Sequence, residues 1–242
     1  MRGVLFSVLT LFFLADYELG LPPQPDLDLP IVLGHYDPAN PAPGPVPRGP
    51  EADDPRDEPP PVFFGEEIPT ESGSLIYVID YSGSMDFSGR IDRARQEFAR
   101  SVSELPPSFK LNVILYDCTL LQWSPHLRPA TPEGKAEAIR WVESHSPTGG
   151  GTGTGPAVAL ALAEKGNMAV ALLTDGDPNC GALDIADHRA MIRNANTQHA
   201  TISVFGIDAW GEYRKFCQDV AADAGGSYHD VVVAATTGKL GW

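Results

Sequence analysis

"SLIYVIDYSGSMD", residues 74 to 86, changes character in its middle. The first seven residues, to Asp80, are a nearly continuous apolar run of strand length, as expected of a central strand covered on both faces rather than one lying against water. The residues after it place Asp80, Ser82 and Ser84 at every second position around Gly83. Consecutive side chains would diverge, whereas alternate ones can turn their oxygens towards a common centre. A buried strand therefore delivers a cluster of hard oxygen donors to its carboxyl end.

Outward from this stretch the chain alternates between helical and strand patterns. "RIDRARQEFARSVSEL" carries Ile91, Ala94, Phe98, Val102 and Leu105 at helical steps and stops at Pro106 and Pro107. "FKLNVILYD" and "TLLQWS" are two strands separated by almost nothing, hence an antiparallel hairpin at a sheet edge. "TPEGKAEAIRWVESH" opens with a Thr cap and a Pro in its first turn. "PAVALALAEKG" is apolar nearly all round and predicts a buried helix; "MAVALLTDG" and "TISVFGID" predict buried strands. The segments 183–200 and 212–226 predict two more helices, and "SYHDVVV" a last edge strand. Strands alternating with helices imply right-handed crossovers and an α/β fold: a doubly wound, mostly parallel sheet with helices on both faces and one antiparallel edge strand.

The residues before this half differ in composition. Of 23 prolines, 15 fall between Pro22 and Pro69, and thirteen acidic residues stand against Arg48 and Arg56 from Asp16 to Glu71. Much of the net charge of −15 is therefore carried by residues 16–72, expected to be a disordered, solvated tail or linker ahead of a folded domain at 73–242. A docking segment for a basic partner is the alternative reading of that acidity. No basic patch exists to neutralise phosphates, which excludes nucleic acid as the expected ligand.

Residues 1–15 put Arg2 before an apolar run too short to span ~30 Å of hydrocarbon as a helix, and they predict a signal segment and export. Phe13 stands where a cleavage site wants a small residue, so an uncleaved N-terminal membrane anchor stays open. Cys118, Cys180 and Cys217 allow one disulfide at most; buried thiols are the expected state, and their spacing has no zinc pattern.

Ligands of doubly wound sheets bind outside the carboxyl ends of the strands. Three oxygen-bearing segments converge on that rim: Asp80, Ser82 and Ser84 after the first strand, Thr152 within "TGGGTGTGPA", and Asp175 at the end of "MAVALLTD". Two carboxylates and three hydroxyls suit Mg²⁺, with Mn²⁺ as an alternative, and do not suit zinc. So small a donor charge leaves an ion able to accept one more anionic oxygen from outside.

"DYSGSM", "GGT" at Gly150 to Thr152 and "LTDG" at Leu173 to Gly176 resemble, in order and spacing, the metal-ion-dependent adhesion site of von Willebrand factor type A domains. The likeness runs through about two thirds of the chain. It implies that Ser82 and Ser84 coordinate Mg²⁺ directly, that Thr152 is close or direct according to conformational state, and that Asp80 and Asp175 act largely through water. The short rim loops carry no inserted recognition helix, unlike larger family members, and the acidic tail is no part of the family pattern.

Other readings fit less well. As a plain strand-to-helix turn, "DYSGSM" would leave Thr152 and Asp175 without a reason to converge. As a Mg²⁺-dependent phosphatase, the chain lacks the second acid expected two residues after Asp80, where Ser82 stands. The segment 150–155 lacks the Lys and Ser/Thr of a phosphate loop, so no nucleotide is expected. No nucleophile elbow surrounds either serine. The expected function is a Mg²⁺-dependent protein-binding or adhesion module, not an enzyme, with an acidic side chain of a protein ligand completing the ion's coordination. Asp86, Phe87, Asp177, Pro178 and Asn179 are the expected rim residues that read the partner. A structural subunit of a surface assembly, its metal site idle, is the alternative.

Overall fold

The computed structural model describes residues 58–233; the expected signal segment 1–15, and the expected tail up to residue 57, lie outside the described residues. The sheet is built on β3 (Ser74–Asp80), β4 (Lys110–Tyr116), β7 (Ala169–Thr174), β8 (Thr201–Ile207) and β9 (Tyr228–Val231). These strands run parallel in the order β4, β3, β7, β8, β9, with β5 (Leu120–Gln122) and β6 (Arg128–Pro129) antiparallel to β4 at one edge. The mostly parallel sheet and its antiparallel edge are as the sequence predicts.

Alternation along β3 sorts the core into two layers. Leu75, Tyr77 and Ile79 face α1 (Arg90–Glu104) and α2 (Pro132–Glu143), while Ile76 and Val78 face α3 (Thr154–Leu162), α4 (Ile185–Ala195) and α5 (Gly211–Asp223). That two-sided burial is why the strand has no polar face. The Tyr77 hydroxyl is satisfied inside the first layer by Ser101 Oγ at 2.7 Å. The local signals hold as well: Thr131 Oγ1 accepts from the Gly134 N–H at 3.1 Å, capping α2.

The fold starts earlier than residue 73, which corrects the expected boundary. β1 (Val62–Phe63) and β2 (Glu66–Glu67) form a hairpin, and Phe63 and Ile68 are fully buried in the same cluster as Leu75 and Phe205. Phe63 packs edge-on against Tyr77 and Phe205, with ring centroids 5.4 and 4.8 Å away. Among the described residues no helix is long and apolar enough to cross a membrane.

The layout fixes where a site can form. β3 pairs with β4 on one side and β7 on the other, so the chain's direction of winding reverses at β3, and the crevice opens at the carboxyl ends of β3 and β7. Asp80 and Asp175 stand at those two ends.

Candidate metal centre

Asp80 continues the even-numbered face of β3 and is wholly buried. Its Oδ1 accepts from the Ser82 N–H at 2.9 Å, and its Oδ2 accepts from Thr174 Oγ1 at 2.7 Å and, more weakly, from the Tyr116 hydroxyl at 3.5 Å. Asp80 thus braces the turn after its own strand against the two neighbouring strands. Burial, and then the negative charge of Asp175, push its carboxyl up to about 7.

Beyond Asp80 a 3₁₀ turn over Gly83–Asp86 plugs Met85 into the core and sets Ser82 and Ser84 side by side, Oγ to Oγ 3.0 Å. Asp175 follows β7 and is 7% exposed. Its Oδ2 accepts from Arg90 Nη1 at 3.1 Å, whereas its Oδ1 is buried and has no hydrogen-bond partner among the described residues. Gly176 leaves the strand at φ +87°, where a Cβ would lie 2.8 Å from the Tyr213 carbonyl oxygen.

Thr152, 2% exposed, is held by its backbone. Its N–H donates to Asn179 Oδ1 at 2.8 Å, and its carbonyl accepts from the Asn179 and Cys180 N–H groups at 2.9 and 3.2 Å. On the other side the Gly153 N–H donates to the Asp117 carbonyl at 2.8 Å. A Cβ on Gly151 would lie 2.2 Å from Asn179 Oδ1 and 3.1 Å from Cys118 Sγ, so glycine is required by close approach. Cys118 and Cys180 are joined by a disulfide, correcting the expectation of buried thiols for that pair; Cys217 alone is free and buried. Burial, followed by the charges of Asp175 and Asp80, pushes the Cys217 thiol up to about 12, which leaves it inert as a nucleophile at neutral pH.

The five oxygen-bearing residues therefore come from three segments that meet at one rim. Among the described residues no three His, Cys, Asp or Glu side chains group in a way that could hold a metal, so any ion here depends on the hydroxyls. The expected partner-reading residues divide. Asp86 and Phe87 are exposed, Phe87 at 68%. Asp177 is half-buried. Pro178 is buried and cannot face a partner, which corrects its expected role; Asn179 is exposed, as a rim residue must be, while its amide oxygen accepts from the Thr152 N–H.

Three contributors carry no motif in the sequence. Arg90, at the start of α1, donates through Nη1 to Asp175 and to the Ser84 carbonyl at 3.2 Å, and through Nε to Asp208 Oδ2 at 3.1 Å. Trp210, 71% exposed, and Leu183, 95% exposed, stand with Phe87 in loops that follow β8, β7 and β3. Of these, Trp210 lines one cavity together with Ser84 and Asp175.

The model of the von Willebrand factor type A domain matches residues 73–230. Inter-alpha-trypsin inhibitor heavy chain 4 of Mus musculus is 33% identical over 177 residues, 68% of this chain and 18% of its own length. Heavy chain H3 of Homo sapiens is 25% identical over 204 residues, 73% of this chain and 23% of its own. The chain thus spans about a fifth of the length of these curated relatives. Among solved structures, a von Willebrand factor type A protein from Catenulispora acidiphila superposes with a TM-score of 0.57 at 22% identity, covering 65% of this chain and 38% of that one. The pilus adhesin SpaC of Lactobacillus rhamnosus GG does so with a TM-score of 0.55 at 15% identity, over 69% and 29%. With the family model matched over most of the chain and the sheet order and rim already described, this chain belongs to the von Willebrand factor type A domain family.

Proposed function

We propose that the chain is an exported, Mg²⁺-dependent protein-binding module, without catalytic activity, whose ion is held by Asp80, Ser82, Ser84, Thr152 and Asp175. An acidic side chain of the partner would complete the ion's coordination. The observation that carries this reading is the Asp175 Oδ1 atom, a buried carboxylate oxygen with no partner among the described residues, placed at the same rim as a pair of serine hydroxyls. An unpaired buried carboxylate oxygen is costly unless a cation or a donor meets it. The other donors present are hydroxyl and carboxylate oxygens, the set a hard divalent cation prefers.

When bound, Mg²⁺ supplies a positive centre with an open position for an anionic oxygen. The chain's own residues do the rest. Asp80 and Thr174 fix the serine turn, Asn179 fixes Thr152, and Trp210, which lines a cavity with Ser84 and Asp175, offers apolar contact beside the centre. The Cys118–Cys180 disulfide supports export, because such bonds persist in oxidising compartments. The pilus adhesin among the structural neighbours agrees with a binding role.

Calorimetric titration of Mg²⁺ and Mn²⁺ into the full chain tests the reading, with Ser82→Ala and Asp175→Ala as controls. Saturable binding that both substitutions abolish is expected. A folded protein that takes up neither ion at millimolar concentration overturns it.

A further inference from the structure

The glycine-rich loop that delivers Thr152 runs between two arms, and a disulfide joins the arms across it. One arm is Asp117 and Cys118, directly after β4. The Asp117 carbonyl accepts the Gly153 N–H at 2.8 Å, and its carboxylate accepts the Thr148 hydroxyl. The other arm is Asn179 and Cys180, in the loop after β7. Asn179 takes the Thr152 N–H on its side chain, and the backbone N–H groups of both residues donate to the Thr152 carbonyl. One arm thus holds the Thr152 backbone and the other holds the Gly153 N–H.

β3 lies between β4 and β7 in the sheet, so the sheet does not join the two arms directly. The Cys118–Cys180 bond does, with Cα atoms 5.7 Å apart, and it lies against the loop itself. A Cβ on Gly151 would lie 3.1 Å from Cys118 Sγ, and one on Gly153 would lie 3.7 Å from Cys180 Sγ. The same loop meets the serine turn, where the Gly83 N–H donates to the Gly150 carbonyl at 2.9 Å. With glycine at 149, 150, 151 and 153 the loop has little conformational preference of its own, so its arms decide its shape. Cys118 is exposed and Cys180 half-buried, which leaves the bond open to thiols in solution, whereas Cys217 is buried in the core.

We infer that the Cys118–Cys180 bond is a redox clasp that positions Thr152, so that the candidate centre holds its ion firmly only in the oxidised chain. The inference rests on the metal-bridged reading above and adds its regulation: a chain that has not met an oxidising compartment carries the same ligands on a loosened loop. Opening is a thiol–disulfide exchange with a dithiol. A thiolate of the dithiol attacks Cys118 Sγ, the exposed sulfur; the bond to Cys180 breaks, and Cys180 leaves as a thiolate and takes up a proton. The dithiol's second sulfur then displaces Cys118 and closes the dithiol's own disulfide. Two electrons pass from the dithiol to the protein, and its two protons end on the two cysteines.

The test compares the full chain as oxidised, after reduction by dithiothreitol, and after reoxidation, with the double variant Cys118→Ser, Cys180→Ser as a form that cannot close. Near-ultraviolet circular dichroism establishes that each sample is folded. In Mn²⁺ calorimetry the reduced chain and the double variant are expected to bind about tenfold more weakly than the oxidised chain, with recovery on reoxidation, the scale of losing support behind a metal ligand. In ¹⁵N relaxation without metal, order parameters at Thr152 and Gly153 are expected to fall from about 0.85 to below about 0.6 on reduction, while the amides of β7 do not change. A disulfide that acts on overall stability alone moves neither reading. Equal affinity in folded oxidised and reduced chains overturns the gate, and unchanged order at Thr152 and Gly153 overturns the clasp. Loss of the fold in both open forms makes the bond a staple of the whole domain and overturns the proposal as well. An oxidised chain that takes up no ion sinks the metal-bridged reading and the gate with it, and the relaxation data then decide the clasp by itself.

Discussion

The groove between α4 and α5 and the rim at the ends of β3 and β7 are both concave and both charged, yet they are chemically opposite. The groove holds a larger cavity, about 500 Å³, crossed by a network of ion pairs: Arg189 pairs with Asp219 at 2.8 Å and Asp223 at 2.6 Å, and Lys215 with Asp219 at 2.9 Å. The rim is smaller and leaves Asp175 Oδ1 buried and unmatched, with two serine hydroxyls facing one another. Volume alone would point to the groove. The chemistry points to the rim, because among the described residues Asp175 Oδ1 is the unpartnered buried atom that belongs to a carboxylate, a group far costlier to bury unmatched than Ser203 Oγ, Asn167 Nδ2 or His188 Nε2.

Three measurements can break or sharpen this contrast. The largest effect is expected from Thr174→Val, which keeps the shape of β7 and removes the hydroxyl that holds Asp80 Oδ2. Mg²⁺ affinity should fall by about 10- to 100-fold while the thermal midpoint moves little, the usual cost of losing a supporting hydrogen bond behind a metal ligand. Unchanged affinity would mean that Asp80 needs no brace and that the rim's order is incidental.

A smaller effect tests whether the two regions are independent. His188, buried on α4, accepts the Gly155 N–H at Nδ1 over 2.9 Å, tying the groove's wall to the first turn of the helix that follows Thr152. Burial lowers its pKa below 6.5, so the folded protein resists a proton that the unfolded chain takes up. Stability is then present above about pH 6.5 and is lost as pH falls through it, by up to about 1.4 kcal/mol per unit. Urea midpoints at pH 7.5 and 5.5 should show this loss and show less of it in His188→Gln, whose amide oxygen can still accept. The same slope in both proteins would assign the acid response elsewhere.

The smallest effect belongs to the groove. Arg189→Ala should cost no more than about 1 kcal/mol, as exposed ion pairs do, and leave Mg²⁺ affinity within error. A large change in affinity would show that the groove and the rim act as one site.

How much of this was legible follows from what sequence encodes locally. The strands were readable because burial on two faces forces unbroken apolar runs, and the oxygen donors because alternate spacing after β3 is a local pattern. The β1–β2 hairpin was hidden, since Phe63, Phe64 and Ile68 sit among prolines and acids whose composition argues for solvent. The burial of Pro178 was hidden because sequence gives position in a loop but not the direction a side chain turns. Arg90 was missed for a related reason: its partners, Asp175 and Asp208, lie on other strand ends and meet it only once the sheet is assembled. The Cys118–Cys180 pairing, 62 residues apart, depends on the same assembly.

That disulfide acts most strongly where the fold is absent. It closes a loop of 62 residues in the unfolded chain, which in the loop-entropy account raises stability by about 4 kcal/mol by leaving the denatured ensemble fewer conformations. The loop it closes contains the glycine-rich segment 149–153, the part of the rim that pays most entropy to become ordered. Much of the order around Thr152 is thereby secured through what the unfolded protein is denied, and it does not have to wait for a ligand.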